Sequence, residues 1–166
     1  MLLEDIRNNP DLQPYIRSEC EDNGIEIGID PLVTDYLVIK VDLFFNQNIA
    51  PNPKGVDCLI VQLCHDGRYK LTLVELKNIE SLKPYKLEEI RKKFKDTFDF
   101  FLNDRYRDLF YDLKYEFSSI KLLFITHLKK ERGSKLDALS TFRPCIFANK
   151  PYYIDPREPH PAIMPC

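Results

Sequence analysis

Glycine is scarce in this chain: only 5 of its 166 residues are glycine, and tryptophan is absent. With so few glycines, the sequence has no G-x-G-x-x-G or P-loop segment to bind a nucleotide phosphate, and no G-x-S-x-G turn to present a nucleophilic serine. Kinases, nucleotide-dependent dehydrogenases and serine hydrolases rely on such loops for their chemistry. The sequence therefore argues against all three classes.

Long apolar runs, repeats and low-complexity tracts are also lacking. No segment has the character of a membrane span or of a secretory leader, so we expect a soluble, cytoplasmic protein without a membrane partner. Hydrophobic residues make up 44% and charged residues 30% of the chain, which suits one globular domain. We expect that domain to span residues 1–166, with a core at about 10–148 and an irregular, proline-rich tail at 149–166.

Histidine and cysteine do not occur at metal-binding spacings. The three histidines lie far apart in the sequence, and no two of the five cysteines form a C-x-x-C pair. An odd number of cysteines argues against a complete disulfide framework. We therefore expect reduced, mostly structural thiols and no zinc cluster.

Two apolar segments of strand length, residues 56–64 and 69–77, are separated by a short turn that contains an Asp-Gly pair. Such a pair between two strands is typical of a β-hairpin. Antiparallel pairing then places Asp57, at the start of the first strand, beside Glu75 and Lys77 at the end of the second. Glu75 and Lys77 share one face, because alternate residues of an extended chain point the same way.

The charges of Glu75 and Lys77 stand on an otherwise apolar strand. Burying an unpaired carboxylate or ammonium group costs several kcal/mol, so these side chains should be paired or bound to a metal ion. An ordinary salt bridge is the simpler alternative, since Glu-x-Lys is common on solvated strands. The hydrophobic surroundings and the nearby Asp57 favour a functional site. Asp42, on a predicted strand at 37–43, is a further acid that we interpret as part of a hairpin surface or bend, not as a ligand.

Asp57, Glu75 and Lys77 resemble the signature of the PD-(D/E)XK nuclease superfamily, which includes restriction endonuclease-like enzymes and Holliday junction resolvases. The resemblance covers roughly residues 36–126. It departs from the signature at the residue before Asp57, which is valine, since the nearest proline is Pro53. It implies that Asp57 and Glu75 hold Mg²⁺ or Mn²⁺, and that Lys77 orients the attacking water or stabilises the charge on the phosphate.

The resemblance also implies a fold and a function. The expected fold is α/β, with a restriction endonuclease-like core in the order α-β-β-β-α-β and a mixed central sheet flanked by helices. A helix at 86–103, a strand at 120–126 and a short strand at 145–147 fit that order. The expected activity is metal-dependent phosphodiester hydrolysis by a DNA endonuclease of the restriction, repair or junction type; RNA in place of DNA is left open. A homodimer would supply two active sites, one for each strand of a duplex. The alternative is a non-catalytic nucleic-acid-binding or assembly subunit with the same fold.

Many members of the superfamily add a glutamate from the helix that precedes the first strand. The sequence Asn9-Pro10-Asp11 predicts a helix start, and we expect this helix to end near Gly24. Glu19 lies on its apolar face and is the expected third metal ligand, with a residue at the edge of that face near solvent as the equal alternative. Glu21 and Glu26 are the substitutes.

Lysines cluster around the predicted site, although the net charge of the chain is −2. Five of them are expected to contact nucleic acid, and binding through such contacts weakens as salt rises. They are Lys54, Lys83, Lys86, Lys92 and Lys93. A second basic group follows the strand at 120–126, at residues 129–135. Because acidic residues alternate with the first group, a solvated helix face is an equal alternative.

Overall fold

The structure, a computed structural model, describes residues 1–48, 53–79, 86–112, 114–127, 134–158 and 160–166, without the side chains of residues 134 and 135. The described residues contain these strands: β1 (Ile16–Arg17), β2 (Cys20–Asp22), β3 (Ile25–Ile29), β4 (Tyr36–Lys40), β5 (Cys58–Leu63), β6 (Tyr69–Lys77), β7 (Phe117–Thr126), β8 (Cys145–Phe147), β9 (Lys150–Tyr152), β10 (Ile154–Arg157) and β11 (Ala162–Ile163). The helices are α1 (Leu2–Arg7), α2 (Val41–Asn48), α3 (Leu87–Asp96), α4 (Arg107–Phe110) and α5 (Ser134–Thr141), with a 3-10 turn at Gln13–Tyr15 and a π-helical segment at Thr97–Arg105.

Six strands form a central mixed sheet in the order β1-β4-β5-β6-β7-β10. Strands β4, β5 and β6 pair in antiparallel fashion, whereas β7 runs parallel to β6 after the crossover through α3. The prediction of a mixed α/β fold with helices beside a mixed sheet is confirmed. Strands β2, β3 and β11 form a second, three-stranded sheet.

Strand β6 lies at the centre of the fold and is buried along eight of its nine residues. A strand covered on both faces reads as a nearly continuous apolar run, as this one does. Leu71 and Leu73 join the larger core, together with Phe94 of α3, while Val74 and Leu76 join a smaller core beneath the second sheet. The end of β6 is therefore enclosed from both sides.

The predicted hairpin between β5 and β6 is confirmed. Cys58 pairs with Val74, and Gly67 in the turn has a φ of 81°. A residue other than glycine would be strained at that angle.

The predicted helix from Asp11 to Gly24 is wrong. The chain forms α1 earlier, turns at Asn9, whose Oδ1 accepts a hydrogen bond from Asp11 N at 3.0 Å, and then continues into β1 and β2. Asn23 and Gly24 have φ values of 49° and 79° and join β2 to β3. Two consecutive residues with positive φ form the favoured two-residue hairpin turn, so the Asn-Gly pair marks a hairpin and not a helix end.

Two other element predictions need correction. The strand expected at 37–43 ends at Lys40, and α2 begins at Val41. The segment at 145–147 pairs with β9 in a separate hairpin and does not extend the central sheet.

The irregular tail expected at 149–166 is also wrong, because it contains β9, β10 and β11. Strand β10 pairs with β7 at the edge of the central sheet, and β11 pairs with β3. Pro156 lies within β10, where an edge strand tolerates the missing N–H group. High proline content therefore did not exclude regular structure here.

Four of the five cysteines are paired, so the expectation of reduced thiols is wrong. Disulfides join Cys20 to Cys58 and Cys64 to Cys166, at sequence separations of 38 and 102 residues, while Cys145 is free and buried. The odd count left one thiol over but did not prevent two bridges. Among the described residues, no helix is both long and apolar enough to cross a membrane.

Candidate active site

Asp57 and Glu75 lie side by side at the end of the β5–β6 hairpin. Oδ2 of Asp57 accepts a hydrogen bond from the backbone N–H of Leu76 at 2.6 Å. Both acidic residues are buried, with exposed fractions of 5% for Asp57 and 0% for Glu75. The structure therefore brings together the carboxylates that the sequence places at opposite ends of two strands.

Two lysines converge on one oxygen of Glu75. Its Oε1 lies 3.2 Å from Nζ of Lys77 and 2.5 Å from Nζ of Lys93, which reaches in from α3. The other oxygen, Oε2, is buried and has no hydrogen-bond partner among the described residues. One half of this carboxylate is thus neutralised while the other half faces no donor.

Burial and mutual repulsion disfavour the charged forms of both acids. Burial, followed by the charge of Asp57, raises the pKa of Glu75 to about 7, against the opposing effects of Lys93 and Lys77. Burial likewise raises the pKa of Asp57, opposed mainly by the hydrogen bond from Leu76. A cation between the two carboxylates would relieve both effects.

Lys77 keeps its positive charge at neutral pH. Burial, the largest single effect, lowers the pKa of Lys77, but the charge and hydrogen bond of Glu75 together with the charge of Asp57 raise the pKa overall. Its side chain is 30% exposed, so the ammonium group is accessible from solvent as well as from Glu75.

Helix α3 and the residue that follows it hold the segment leading to Asp57. The side chain of Asp96 accepts a hydrogen bond from Lys54 N at 3.2 Å, and Thr97 Oγ1 accepts one from Val56 N at 3.1 Å. Between these two anchors, Gly55 packs so closely on α2 that a Cβ there would lie 2.8 Å from Val41 Cγ1. The same end of α3 therefore fixes the approach to Asp57 and supplies Lys93.

A cleft of about 390 Å³ opens beside these groups. Its lining is mainly charged and consists of Lys54, Glu75, Lys77, Glu89, Ile90, Lys92 and Lys93. Four lysines against two glutamates give the cleft a positive balance, which suits an anionic ligand such as a phosphodiester.

The residues present fit a divalent metal held by two carboxylates. No three histidine, cysteine or acidic side chains within the described part of the chain are grouped tightly enough to bind an ion by themselves. Mg²⁺ nevertheless uses one or two carboxylates in many sites, with water and substrate phosphate as the other ligands. Oε2 of Glu75, which has no hydrogen-bond partner among the described residues, matches that demand together with Asp57.

Glu19 does not complete the site. It is exposed in the connection between β1 and β2, and it forms no metal-binding group with Asp57 and Glu75. Glu21 and Glu26, the substitutes, are exposed on β2 and β3. The set of three carboxylates predicted from the sequence is therefore not formed.

Other acids act on Asp57 instead. The negative charge of Asp22 raises the pKa of Asp57, and Asp57 in turn raises the pKa of Asp42, for which burial is the main cause. Asp42, which the sequence analysis set aside, is therefore part of the same electrostatic neighbourhood. Its Oδ1 lies 3.9 Å from Nζ of Lys40.

The predicted nucleic-acid contacts divide into three groups. Lys54 and Lys92 line the cleft, although Lys92 also pairs with Asp96. Lys93 lines the cleft but contacts Glu75 directly, a role that the sequence analysis missed. Lys86 is exposed just before α3, and Lys83 lies outside the described residues, as do residues 129–133 of the second basic group.

The position of Lys93 could have been found from its spacing. It lies three residues after Ile90, one before Phe94 and four before Thr97, all of which are buried. A lysine on the buried stripe of a helix needs an acidic partner, just as Glu75 needs a basic one.

Comparisons with protein-family models, curated proteins and solved structures found no match to this chain.

Proposed function

We propose that this protein is a metal-dependent nuclease of the PD-(D/E)XK type that hydrolyses phosphodiester bonds in DNA. The observation that carries the proposal is the buried pair of Asp57 and Glu75: Oε1 of Glu75 contacts two lysines, and Oε2 has no partner within the described part of the chain. Such a site costs stability unless it binds something, and perturbed acids in a cleft are typical of catalytic centres.

Asp57 and Glu75 would hold Mg²⁺ or Mn²⁺ in this mechanism. When bound, the ion supplies Lewis acidity and lowers the pKa of a coordinated water. The hydrogen bond from Leu76 N holds Oδ2 of Asp57 against the backbone of β6, at the residue after Glu75.

Lys77 is the residue we assign to the reacting phosphate. It is partly exposed at the cleft and stays protonated, so it can orient the attacking water or stabilise the negative charge that develops on the phosphate. Lys93 balances the charge of Glu75, while Lys54 and Lys92, which line the cleft, would contact backbone phosphates.

The strand order supports the same proposal. Three antiparallel strands, β4 to β6, are followed by α3 and the parallel strand β7, which is the arrangement expected of a restriction endonuclease-like core. Cutting both strands of a duplex would need a second site, which a homodimer would supply.

A non-catalytic binding subunit is the second candidate. The ion pairs of Glu75 Oε1 with Lys77 and Lys93 favour it, since a carboxylate neutralised in this way can be purely structural. The two candidates differ in turnover and not in binding.

Cleavage of plasmid, branched, single-stranded and RNA substrates with Mg²⁺ or Mn²⁺ tests the proposal. We expect metal-dependent cleavage that Glu75→Gln abolishes while nucleic-acid binding remains. The matched control is Glu116→Gln, which changes an exposed glutamate just before β7, at the other end of the sheet. Binding of any of these substrates without cleavage by the wild-type protein would support the binding subunit instead.

A further inference from the structure

A second pocket, of about 200 Å³, lies on the opposite face of the central sheet from Glu75. Its floor includes Lys70 and Thr72 of β6 and Lys121 of β7, and its wall is formed by Arg157 and by residues 161–164. Successive side chains of a strand point to opposite faces of the sheet, so Lys70 and Thr72 lie on the face opposite to that of Glu75. The pocket is therefore separate from the candidate active site.

Lys70 is unusual in this pocket because it is a cation with an exposed fraction of only 9%. Its ammonium group has three donors, of which one is used by the carbonyl oxygen of Met164 at 3.2 Å. Among the residues that the structure describes, no carboxylate lies within ion-pair distance of Lys70 or Lys121. Buried cations are normally paired, so a partner from outside the described chain is expected.

Lys121 stands close to Lys70 on the same face. Thr72 pairs with Lys121 across β6 and β7, which places the two lysines diagonally across neighbouring strands. Burial lowers the pKa of Lys70, and the positive charge of Lys121 lowers it further. An anion between them would remove this repulsion.

The wall of the pocket, formed by Arg157 and residues 161–164, limits the size of the ligand. Arg157 pairs with Asp155 at 2.7 Å, so its charge is already balanced. The wall is anchored by the hydrogen bond from Gly28 N to Pro161 O at 2.8 Å, by that from Asp30 N to Ile163 O at 2.9 Å, and by the disulfide of Cys166. A small pocket with fixed walls suits a compact oxyanion.

We propose that this pocket binds a phosphate group, with Lys70 and Lys121 as its main ligands. Several oxygens and more than one negative charge allow a phosphate to satisfy both ammonium groups together, which a single chloride ion cannot do. The phosphate could be free or could belong to a nucleic-acid chain. The inference is independent of the proposed nuclease activity.

Calorimetric titration of the full, disulfide-bonded chain tests this site. EDTA keeps divalent metals away from Asp57 and Glu75, and constant ionic strength removes general screening effects. The probes are inorganic phosphate and one oligonucleotide with and without a 5′-phosphate. We expect inorganic phosphate to bind once per chain and to be weakened at least tenfold by Lys121→Gln, an exposed position whose change should not disturb folding.

Two further variants sharpen the result. Lys70→Met should weaken binding at least as much, whereas Lys95→Gln, an exposed lysine of α3 paired with Asp99, should leave it unchanged. Tighter binding of the 5′-phosphorylated oligonucleotide than of free phosphate, lost in Lys121→Gln, would identify nucleic acid as the source. Tighter binding of free phosphate would identify a small ligand. Absence of phosphate binding to the wild type, or equal binding by wild type and Lys121→Gln, would overturn the proposal.

Discussion

Glu75 should make the stability of the protein depend on pH. Its pKa is about 7 in the folded chain, against an ordinary value of 4.5, so the folded state binds this proton more tightly than the unfolded chain does. The contribution of Glu75 to the free energy of unfolding should therefore be largest below about pH 4.5. It should be lost as the pH rises from there through 7. Asp57 and Asp42, whose pKa values are also raised, act in the same direction.

Urea unfolding of the wild type and Glu75→Gln at several pH values between 5 and 8 measures this effect. The variant cannot ionise at that position, so its stability should decline less over the interval. Equal declines in the two proteins would show that Glu75 does not titrate as its burial implies. Mg²⁺ should reduce the decline in the wild type, because an ion bound to the carboxylates stabilises the folded state.

Lys77 and Lys93 share one carboxylate oxygen but should respond differently to removal of their charge. Lys77→Met should lower the single-turnover cleavage rate by orders of magnitude, because the variant loses a charge placed at the phosphate, with little loss of stability because the aliphatic stem is retained. Lys93→Met removes the shorter ion pair with Glu75 and should lower the metal-free melting temperature.

The comparison needs rates and melting curves with and without Mg²⁺, with Lys95→Met as the control on the same helix. A large fall in the metal-free melting temperature of Lys77→Met, with cleavage retained below it, would make Lys77 a structural residue. The proposal for Lys77 would then fail, whatever Lys93 does.

At the level of elements, the segment between α2 and β5 sets the position of Asp57. Gly55→Ala would place a Cβ 2.8 Å from Val41 and 2.9 Å from the ring of Phe45, so either the core or the segment must move. We expect a loss of roughly 1–3 kcal/mol in stability and a higher Mg²⁺ requirement for cleavage. Chemical unfolding and metal titration of activity measure the two effects.

Gly28→Ala is the matched control for this change. A Cβ at Gly28 would find its nearest neighbour at 3.7 Å, which is ordinary contact. If Gly55→Ala behaved like Gly28→Ala in both measurements, the segment would not position Asp57 through close packing.

An element could be predicted from the sequence where neighbouring residues alone determine it. The β5–β6 hairpin was predictable because its alternation, its length and its Asp-Gly turn all agreed. The region before β3 was not, because the spacing of its few apolar residues fits a helix as well as two short strands. Only the Asn23–Gly24 pair distinguishes them, and such a pair is compatible with a helix end as well as with a hairpin turn.

The candidate site could likewise be predicted only where it depends on the β5–β6 hairpin. Asp57, Glu75 and Lys77 follow from the hairpin alone, since strand pairing fixes their distances. Lys93 and Asp42 reach the same neighbourhood through the packing of α3 and α2 on the sheet. The spacing of Lys93 shows that it lies on a buried face of α3, but it does not show that this face packs against Glu75. Glu19 was placed by a helix that does not form.

At the scale of the whole molecule, the disulfides bear on both stability and compartment. Bridges of this kind are typical of oxidising compartments, so the expected cytoplasmic location stays a prediction without support from the thiols. The Cys64–Cys166 bridge closes a loop of 102 residues, for which chain entropy gives a stabilisation of about 4–5 kcal/mol.

Cys64→Ser should therefore lower the melting temperature markedly, and reductant should lower that of the wild type. Cys145→Ala, which removes the free buried thiol, should keep its sensitivity to reductant. Melting curves with and without reductant measure both. Insensitivity of the wild type to reductant would mean that the bridges contribute little to the fold.

The two bridges also determine how the chain would respond to mechanical force. Their loops follow one another along the sequence, from Cys20 to Cys58 and from Cys64 to Cys166, without overlapping. A pull on the two ends would therefore pass through both sulfur bridges and bypass the two segments that they enclose, whose bridged ends are 38 and 102 positions apart. Reduction should release that hidden length, roughly 480 Å at about 3.4 Å per extended residue, as a second extension in a single-molecule stretching record.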